Sequence, residues 1–267
     1  MYKYELHCHT GGVSRCATIN PKDLVRKFEK EGYSGLVLTD HYSPLTFLPG
    51  HYLRPQKAIE HYLSSYHELK DWCGDSFTVL LGLELRHYGV VNDYLVYGVE
   101  EDWLKRQPNM LLWREKKVCE EMHKQGYLIY QAHPYRPLIY RCNPNYIDGI
   151  EVFNGHTDTV RNEKALQWAK ALGKPMSSGS DTHRAQDNPC GGIETLRPIQ
   201  SNADLLEVLR SGSYRLLRPN GGERQTTPMS QWDSSTISSA PSSVSASRAA
   251  RLRPQVISTV WEPLRAR

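Results

Sequence analysis

Tyr4-Glu5-Leu6-His7-Cys8-His9 is an apolar-alternating run that ends in two histidines, and Gly179-Ser180-Asp181-Thr182-His183 repeats that spacing with an aspartate and a histidine. In an extended strand residues two apart point the same way, so each run presents two metal-type ligands to one side. Three further runs end in the same manner, at His41, Glu84 and His133. A carboxylate such as Glu84, closing Thr78-Val79-Leu80-Leu81-Gly82-Leu83, is costly to bury without a cation or partner. Seven ligands dispersed over strand ends imply a catalytic metal centre on one rim of an α/β fold. A structural zinc draws its ligands from compact motifs instead.

Working outward, strands are expected at Tyr4–His9, Gly35–Asp40, Phe77–Leu85, Tyr94–Val99, Tyr127–His133, Gly149–Asn154, Pro175–Asp181 and, more weakly, Ile193–Pro198. Helices fit between them: Pro21 to Lys30 behind an Asn20 cap, Lys57–Trp72, Leu111–Lys124, Val160–Leu172 and Ala203–Arg210. The mostly apolar strands suit a parallel sheet covered by helices. At 267 residues and 39% hydrophobic content, one α/β domain over residues 1–217 is sufficient.

From Arg218 the character changes. Ten serines lie between Ser230 and Ser258, lysine is absent, and seven arginines face Glu223, Asp233 and Glu262, so residues 218–267 read as a disordered Ser/Arg-rich tail. That tail carries the whole net charge of +4 and residues 1–217 sum to zero. A neutral body does not favour sequence-independent nucleic-acid binding, which relies on clustered Lys and Arg. No apolar stretch is long enough to span a bilayer and no leader pattern opens the chain, so a cytoplasmic protein without a membrane partner is expected. The six cysteines are scattered, never as Cys-x-x-Cys, and are read as reduced thiols.

The motifs, in order, resemble the PHP (polymerase and histidinol phosphatase) family: His-x-His at His7 and His9, Thr39-Asp40-His41, Leu-Gly-Leu-Glu ending at Glu84, Gln-Ala-His-Pro around His133, Glu-Val-Phe-Asn-Gly at residues 151–155, and Asp-x-His at Asp181 and His183. The resemblance spans residues 1–217. It implies a distorted (β/α)7 TIM-like barrel holding two or three divalent ions, zinc, manganese or iron, and hydrolysis of a phosphomonoester by a metal-activated water, as in histidinol phosphatase. It further implies that His7, His9, Glu84 and Asp181 surround one ion, Glu84 and His133 a second, and His41 with His183 a third. Glu84, Asp181 and His183 are the expected catalytic residues, and either Asp181 or His183 would carry the proton to the leaving oxygen. Two ligand positions of the family are unfilled here: the stretch Gly11 to Cys16 has neither the His nor the Asp found past the first motif, and the segment Asn92–Gly98 has no His at the strand end. Cys16 reads either as a substitute ligand or as a plain loop residue.

Arg15, Arg86, Arg136 and Arg184 flank the motif strands, and arginine binds phosphate in a bidentate fork. Arg15, Arg184 and Asn154 are taken as substrate contacts. The Pro- and aromatic-rich segment 42–55 reads equally as a substrate lid or an ordered loop, and His156 as a pocket residue or a helix cap. A small phosphorylated molecule is the expected partner; no oligomeric state follows. The competing readings are a 5′-3′ exonuclease or nucleotide phosphoesterase, with Tyr42 and Tyr52 stacking bases, a degenerate metal-binding or interaction module without turnover, and C–N bond hydrolysis on the same architecture.

Overall fold

A computed structural model describes residues 1–47 and 54–219. The tail expected after residue 217 lies outside the described residues from residue 220 onward, as do residues 48–53 of the segment read as a lid, including Tyr52.

Strand β1 (Tyr2–Cys8) pairs in parallel with β2 (Gly35–Leu38), and β2 with β4 (Thr78–Leu81). The long strand expected over residues 77–85 is broken at Gly82 and resumes as β5 (Leu83–Leu85). A Cβ on Gly82 would stand 2.7 Å from Val37 Cγ1 and 3.2 Å from the Val96 carbonyl oxygen, so glycine permits the close approach at which the chain passes between sheets. In the second sheet β5 lies between β3 (His41–Tyr42) and β6 (Tyr94–Tyr97), followed by β7 (Leu128–Gln131), β8 (Gly149–Asn154) and β9 (Met176–Gly179).

Past β9 the chain returns to β1. The Asp181 amide donates to the His7 carbonyl at 2.7 Å and the His9 amide to the Thr182 carbonyl at 2.9 Å. With that seam, β1, β2, the β4–β5 stave, β6, β7, β8 and β9 make the seven staves of a distorted TIM-like barrel. Leu6, Leu83, Val96 and Ile150 are among its fully buried core residues.

Two strands correct the parallel-sheet expectation. β6 runs antiparallel to both β5 and β7. Only residues 86–93 join β5 to β6, too few for the crossover that a parallel pair requires. β10 (Ile193–Thr195) pairs antiparallel with β1 on the edge away from β2, and with a short β11 (Arg215–Leu216).

The helices follow their capping chemistry. In α1 (Pro21–Lys30), Asn20 Oδ1 accepts the Lys22 amide at 3.0 Å, and Leu24, Val25 and Phe28 are buried in a cluster with Leu36, Leu38 and Val79. Around the barrel follow α2 (Pro55–Cys73), α3 (Glu101–Lys105), α4 (Glu115–Lys124), α5 (Thr159–Leu172) and α6 (Asn202–Ser211). α4 starts later than its apolar pattern implies, because Met110–Leu112 forms a separate 3-10 turn; α3 has no counterpart among the expected helices. A Ser201/Asp204 capping box opens α6. No helix among the described residues is long and apolar enough to cross a membrane.

Candidate metal centre

All seven expected ligands converge on one rim. His7 and His9 leave the end of β1, His41 opens β3, Glu84 is central in β5, His133 follows β7, and Asp181 and His183 follow β9. Glu84 is the hub. Its Oε1 lies 2.9 Å from His133 Nε2 and 3.4 Å from His7 Nε2, while its Oε2 lies 2.6 Å from His41 Nδ1 and 3.3 Å from His9 Nε2. Asp181 Oδ1 stands 3.3 Å from His7 Nε2 and 3.1 Å from His9 Nε2. Four overlapping groups each bring their donor atoms within 4.8 Å of one another: His7, Glu84 and His133; His7, His9 and Asp181; His9, His41 and His183; and, at the outer edge, His156, His183 and Asp187.

Hydrogen bonds behind the donors decide which ring nitrogens face inward. His7 Nδ1 donates to Glu151 Oε1 at 2.8 Å, leaving Nε2 to the cluster. Ser14 Oγ has one proton, which it gives to Asp40 Oδ1 at 2.6 Å, so at 3.3 Å it accepts from His9 Nδ1. On neutral His7 and His9 the Nε2 lone pairs therefore aim at carboxylate oxygens. Such an arrangement is repulsive until a proton or a cation lies between. His7 Nε2 and Glu84 Oε2 are moreover buried with no aligned hydrogen-bond partner. Imidazole nitrogen with carboxylate oxygen is a donor set suited to zinc, manganese or iron, and the residues present fit divalent ions.

The electrostatics agree. Burial alone would lower His7, but the charges of Asp181, Glu151 and Glu84 outweigh it and hold the imidazole well above its ordinary pKa. His9 is held well below its own, by burial and then by His41 and His183. Burial would raise Glu84 and Asp181, yet the surrounding imidazoles keep both well below the usual carboxylate range, so they are ionised. Glu84, Asp181 and His9 are thus in the protonation states that metal ligation requires, whereas His7, His41, His133 and His183 are raised, against their burial, by the neighbouring acidic groups and would each give up a proton on binding an ion.

Backbone strain marks the same place. Among described non-glycine residues, positive φ occurs at His133 (27°), Asp181 (54°) and Leu138 (72°). Two of these three carry donors. Left-handed backbone at such residues costs on the order of 1–3 kcal/mol and persists only where the surroundings over-determine it.

Several contributors had no assigned role in the sequence reading. Glu151 Oε2 accepts the His133 amide at 2.8 Å, so one carboxylate orients two donors. Glu5 is buried and accepts from the His7 amide, the Ser180 amide and the Ser180 hydroxyl; burial, opposed by those donors, raises its pKa to about 7. Asp40 accepts from the Thr10 amide and hydroxyl as well as Ser14, tying the loop after β1 to the end of β2. Asp93 sits on the rim because β6 is reversed: its Oδ2 is 3.8 Å from His133 Nε2, and both oxygens accept from Arg86, at 2.6 Å from Nε and 2.5 Å from Nη2. The segment Asn92–Gly98 therefore reaches the site by its first residues, the end opposite to the one a parallel strand would use.

Asn154, expected at the substrate, is buried and gives its amide hydrogens to Glu151 Oε2 and Asp181 Oδ2, each at 3.1 Å. It positions carboxylates. Tyr42, offered for base stacking, lies in the core edge-on to Phe47 and Tyr62. His156 Nε2 pairs with Asp187 Oδ2 at 3.0 Å on the rim. Arg15 and Arg184 do line the cavity above the donors, a space of about 590 Å³ whose wall also includes Arg86, Arg136, Cys16 and His183. Partial burial would raise the Cys16 thiol, but His183 and His41 beside it lower its pKa to about 6.

Residues 160–214 match a family model described as PHP-associated. No curated protein sequence matches the chain. Among solved structures, the chain is similar to PsfC from Pseudomonas syringae, with a TM-score of 0.59 and 14% identity over 82% of this chain and 92% of that one. It is also similar to a two-domain protein from Bacteroides vulgatus containing a predicted PHP-like metal-dependent phosphoesterase, with a TM-score of 0.56 and 16% identity over 81% of this chain and 64% of that one. A third is the lesion-specific endonuclease PfuEndoQ from Pyrococcus furiosus, with a TM-score of 0.54 and 13% identity over 80% of this chain and 57% of that one. The chain thus spans less than two thirds of the Bacteroides and Pyrococcus proteins. At these identities the likeness is one of fold.

Proposed function

We propose that this chain, a PHP-domain protein by its fold and its PHP-associated segment, is a metal-dependent hydrolase of phosphoesters that acts on a small phosphomonoester. The observation that carries the reading is the pair of inward-aimed Nε2 atoms of His7 and His9 facing Glu84 and Asp181, at the base of an arginine-lined cavity. Divalent ions held by these donors would supply Lewis acidity and a water whose pKa falls to about 7.

The chain's own residues do the rest. Arg86, fixed by its fork to Asp93, presents a guanidinium of set orientation to a phosphoryl oxygen. Arg15 and Arg184 bind the same substrate from other loops of the rim. Of the two acids left open by the sequence, His183 lies on the cavity wall with Nδ1 bonded to the Asp181 carbonyl at 2.7 Å, whereas the Asp181 carboxylate is occupied by His7, His9 and Asn154. Where His183 Nε2 holds no ion, His183 is therefore the group that passes a proton to the leaving oxygen. With Tyr42 in the core and a neutral body, the oligonucleotide reading has less to rest on.

The test is metal content measured together with turnover on small phosphomonoesters, nucleotides and short oligonucleotides. Expected are bound transition metal, preference for small phosphomonoesters, and a fall in kcat of at least about 1000-fold in Glu84→Gln, the scale expected when transition-state charge stabilisation is lost. Less than one ion per chain with no turnover would favour a degenerate binding module, and preferential cleavage of oligonucleotides would favour the exonuclease reading.

A further inference from the structure

We propose that His156 is a specificity-determining contact of the cavity: its Nδ1 accepts a hydrogen bond from a hydroxyl or amine on the leaving group, so the substrate is the phosphate ester of a polyol or an amino alcohol and not of a plain alkyl alcohol. This rests on reading the buried donor set as the phosphoester-cleaving centre.

His156 stands in the link between β8 and α5, where its sequence position suits either the pocket or the helix. The helix makes no use of it: α5 is capped by Asp158, whose Oδ1 accepts the Arg161 amide at 2.9 Å. The His156 amide donates to Asn154 Oδ1 at 2.9 Å, and Asn154 in turn donates to Glu151 and Asp181, so the residue is tied by its backbone to the donor set. Its ring lies on the wall of the cavity of about 590 Å³ and meets the His183 ring edge-on, with centroids 5.4 Å apart and planes at 68°.

Asp187 sets which nitrogen looks outward. Its Oδ2 accepts from the His183 amide at 2.8 Å, the Arg184 amide at 2.8 Å and His156 Nε2 at 3.0 Å. An oxygen that already takes two amide hydrogens is an acceptor toward the imidazole too, so Nε2 carries the ring proton and, on the neutral ring, Nδ1 carries the lone pair. Glu151 and His7 follow the same plan at the donor set, with a carboxylate on one ring nitrogen and the other left to the ligand. The Asp187 side chain is 15% exposed and that of His156 43%, so the ring is the partner that fronts the open space. This outer group differs from the inner three. Its carboxylate is answered by N–H donors of the protein, whereas His7 Nε2 and Glu84 Oε2 have no aligned partner. It therefore calls for no cation and offers an acceptor.

Position selects the part of the substrate that is met. A phosphoryl group over the donors faces Arg86 and His183, and His156 lies one ring farther out, level with the atoms beyond the ester oxygen. A hydroxyl or amine there satisfies the lone pair. An alkyl chain in the same place would take the lone pair out of water without a partner, which is how a site discriminates an alcohol from its deoxy analogue. Stability is not what the pair serves: partly exposed ion pairs contribute little, and the turn over residues 183–187 is closed by the two amides and by the Asp187 amide donating to the Arg184 carbonyl at 3.1 Å.

The experiment uses the full chain loaded with manganese, at about pH 8.5, above the ordinary imidazole pKa. Three non-hydrolysable probes are titrated calorimetrically: butylphosphonate, and hydroxypropylphosphonate and aminopropylphosphonate with the polar group at the chain end. In parallel, hydrolysis of propyl phosphate is compared with that of hydroxyethyl phosphate and phosphoethanolamine. At least one donor-bearing probe is expected to bind about tenfold more tightly than butylphosphonate; the two donor-bearing arms tell a hydroxyl from an amine. In His156→Phe, checked for folding by circular dichroism, that ratio should fall to about twofold or less, and KM for the favoured ester should rise with little change in kcat. His156→Asn, which keeps an acceptor oxygen near the place of Nδ1, should retain part of the ratio, and the metal content of His156→Phe should equal that of the unaltered protein. If neither donor-bearing probe outbinds butylphosphonate on the unaltered protein, the contact is overturned whether or not a variant folds. Survival of the ratio in folded His156→Phe overturns it too, and so does loss of an ion from that variant, which would make His156 a metal donor. A binding preference that depends on His156, with no hydrolysis of any ester, supports the contact and overturns the phosphoesterase reading alone.

Discussion

Glu151 holds the His7 ring with one oxygen and the His133 amide with the other, and shares the second oxygen with Asn154. A residue that orients metal donors in this way typically contributes 10–100-fold in metal affinity. Glu151→Ala should accordingly weaken metal binding by about 10–100-fold in competition with a chromophoric chelator, and Glu151→Gln, which keeps an acceptor oxygen for His7, should recover part of the loss. Unchanged affinity in Glu151→Ala would mean that packing alone sets the ring. The candidate ligands were legible because His-x-His and Asp-x-His at strand ends place imidazole and carboxylate on one side of the backbone. Glu151 and Ser14 were not, since a hydrogen bond from behind a ligand leaves no spacing pattern in the chain.

At the scale of elements, local chemistry and close approach act differently. The cap bond of Asn20 goes to the Lys22 amide and not to a donor, so Asn20→Ala should lower stability by about 1 kcal/mol in urea unfolding with little change in metal affinity. Gly179 ends β9 at the barrel seam, where an added Cβ would stand 2.3 Å from His7 Cβ and 2.7 Å from Glu151 Oε1. Gly179→Ala must displace β1 against β9, so it should cost about 1–3 kcal/mol and weaken metal binding as well. The same two measurements check it, and intact affinity in the folded variant would refute the seam's role in setting His7. The positions of α1, α2, α5 and α6 could be read from caps and apolar spacing, whereas α3 and the start of α4 could not. The direction of β6 could not be read from its apolar pattern, which is the same in either direction; it follows from the short link over residues 86–93.

For the whole molecule, the donor set ties three staves of the second sheet to β1: Glu84 from β5, His133 after β7 and Asp181 after β9 all meet His7. A ligand that binds only the folded state stabilises it by about 2.7 kcal/mol when present at 100 times its dissociation constant. Stripping metal with a chelator should therefore lower Tm by several degrees, and returning manganese or zinc should restore it, as followed by thermal unfolding. In Glu84→Gln the metal-dependent part of the shift should vanish. An unchanged Tm in the unaltered protein would show that the donors are held by the fold without help from an ion.

The sequence by itself determined the alternation of strands and most helices, the choice of seven candidate donors and the neutrality of residues 1–217, because side-chain period, capping and charge are local properties of a chain. Only the tertiary structure decided that the staves close through Asp181 and Thr182 onto β1, that Asp93 reaches the rim, that Asn154 faces the carboxylates, and that four arginines share one wall. These depend on contacts between residues far apart in sequence, and on which way a short link turns the strand that follows it.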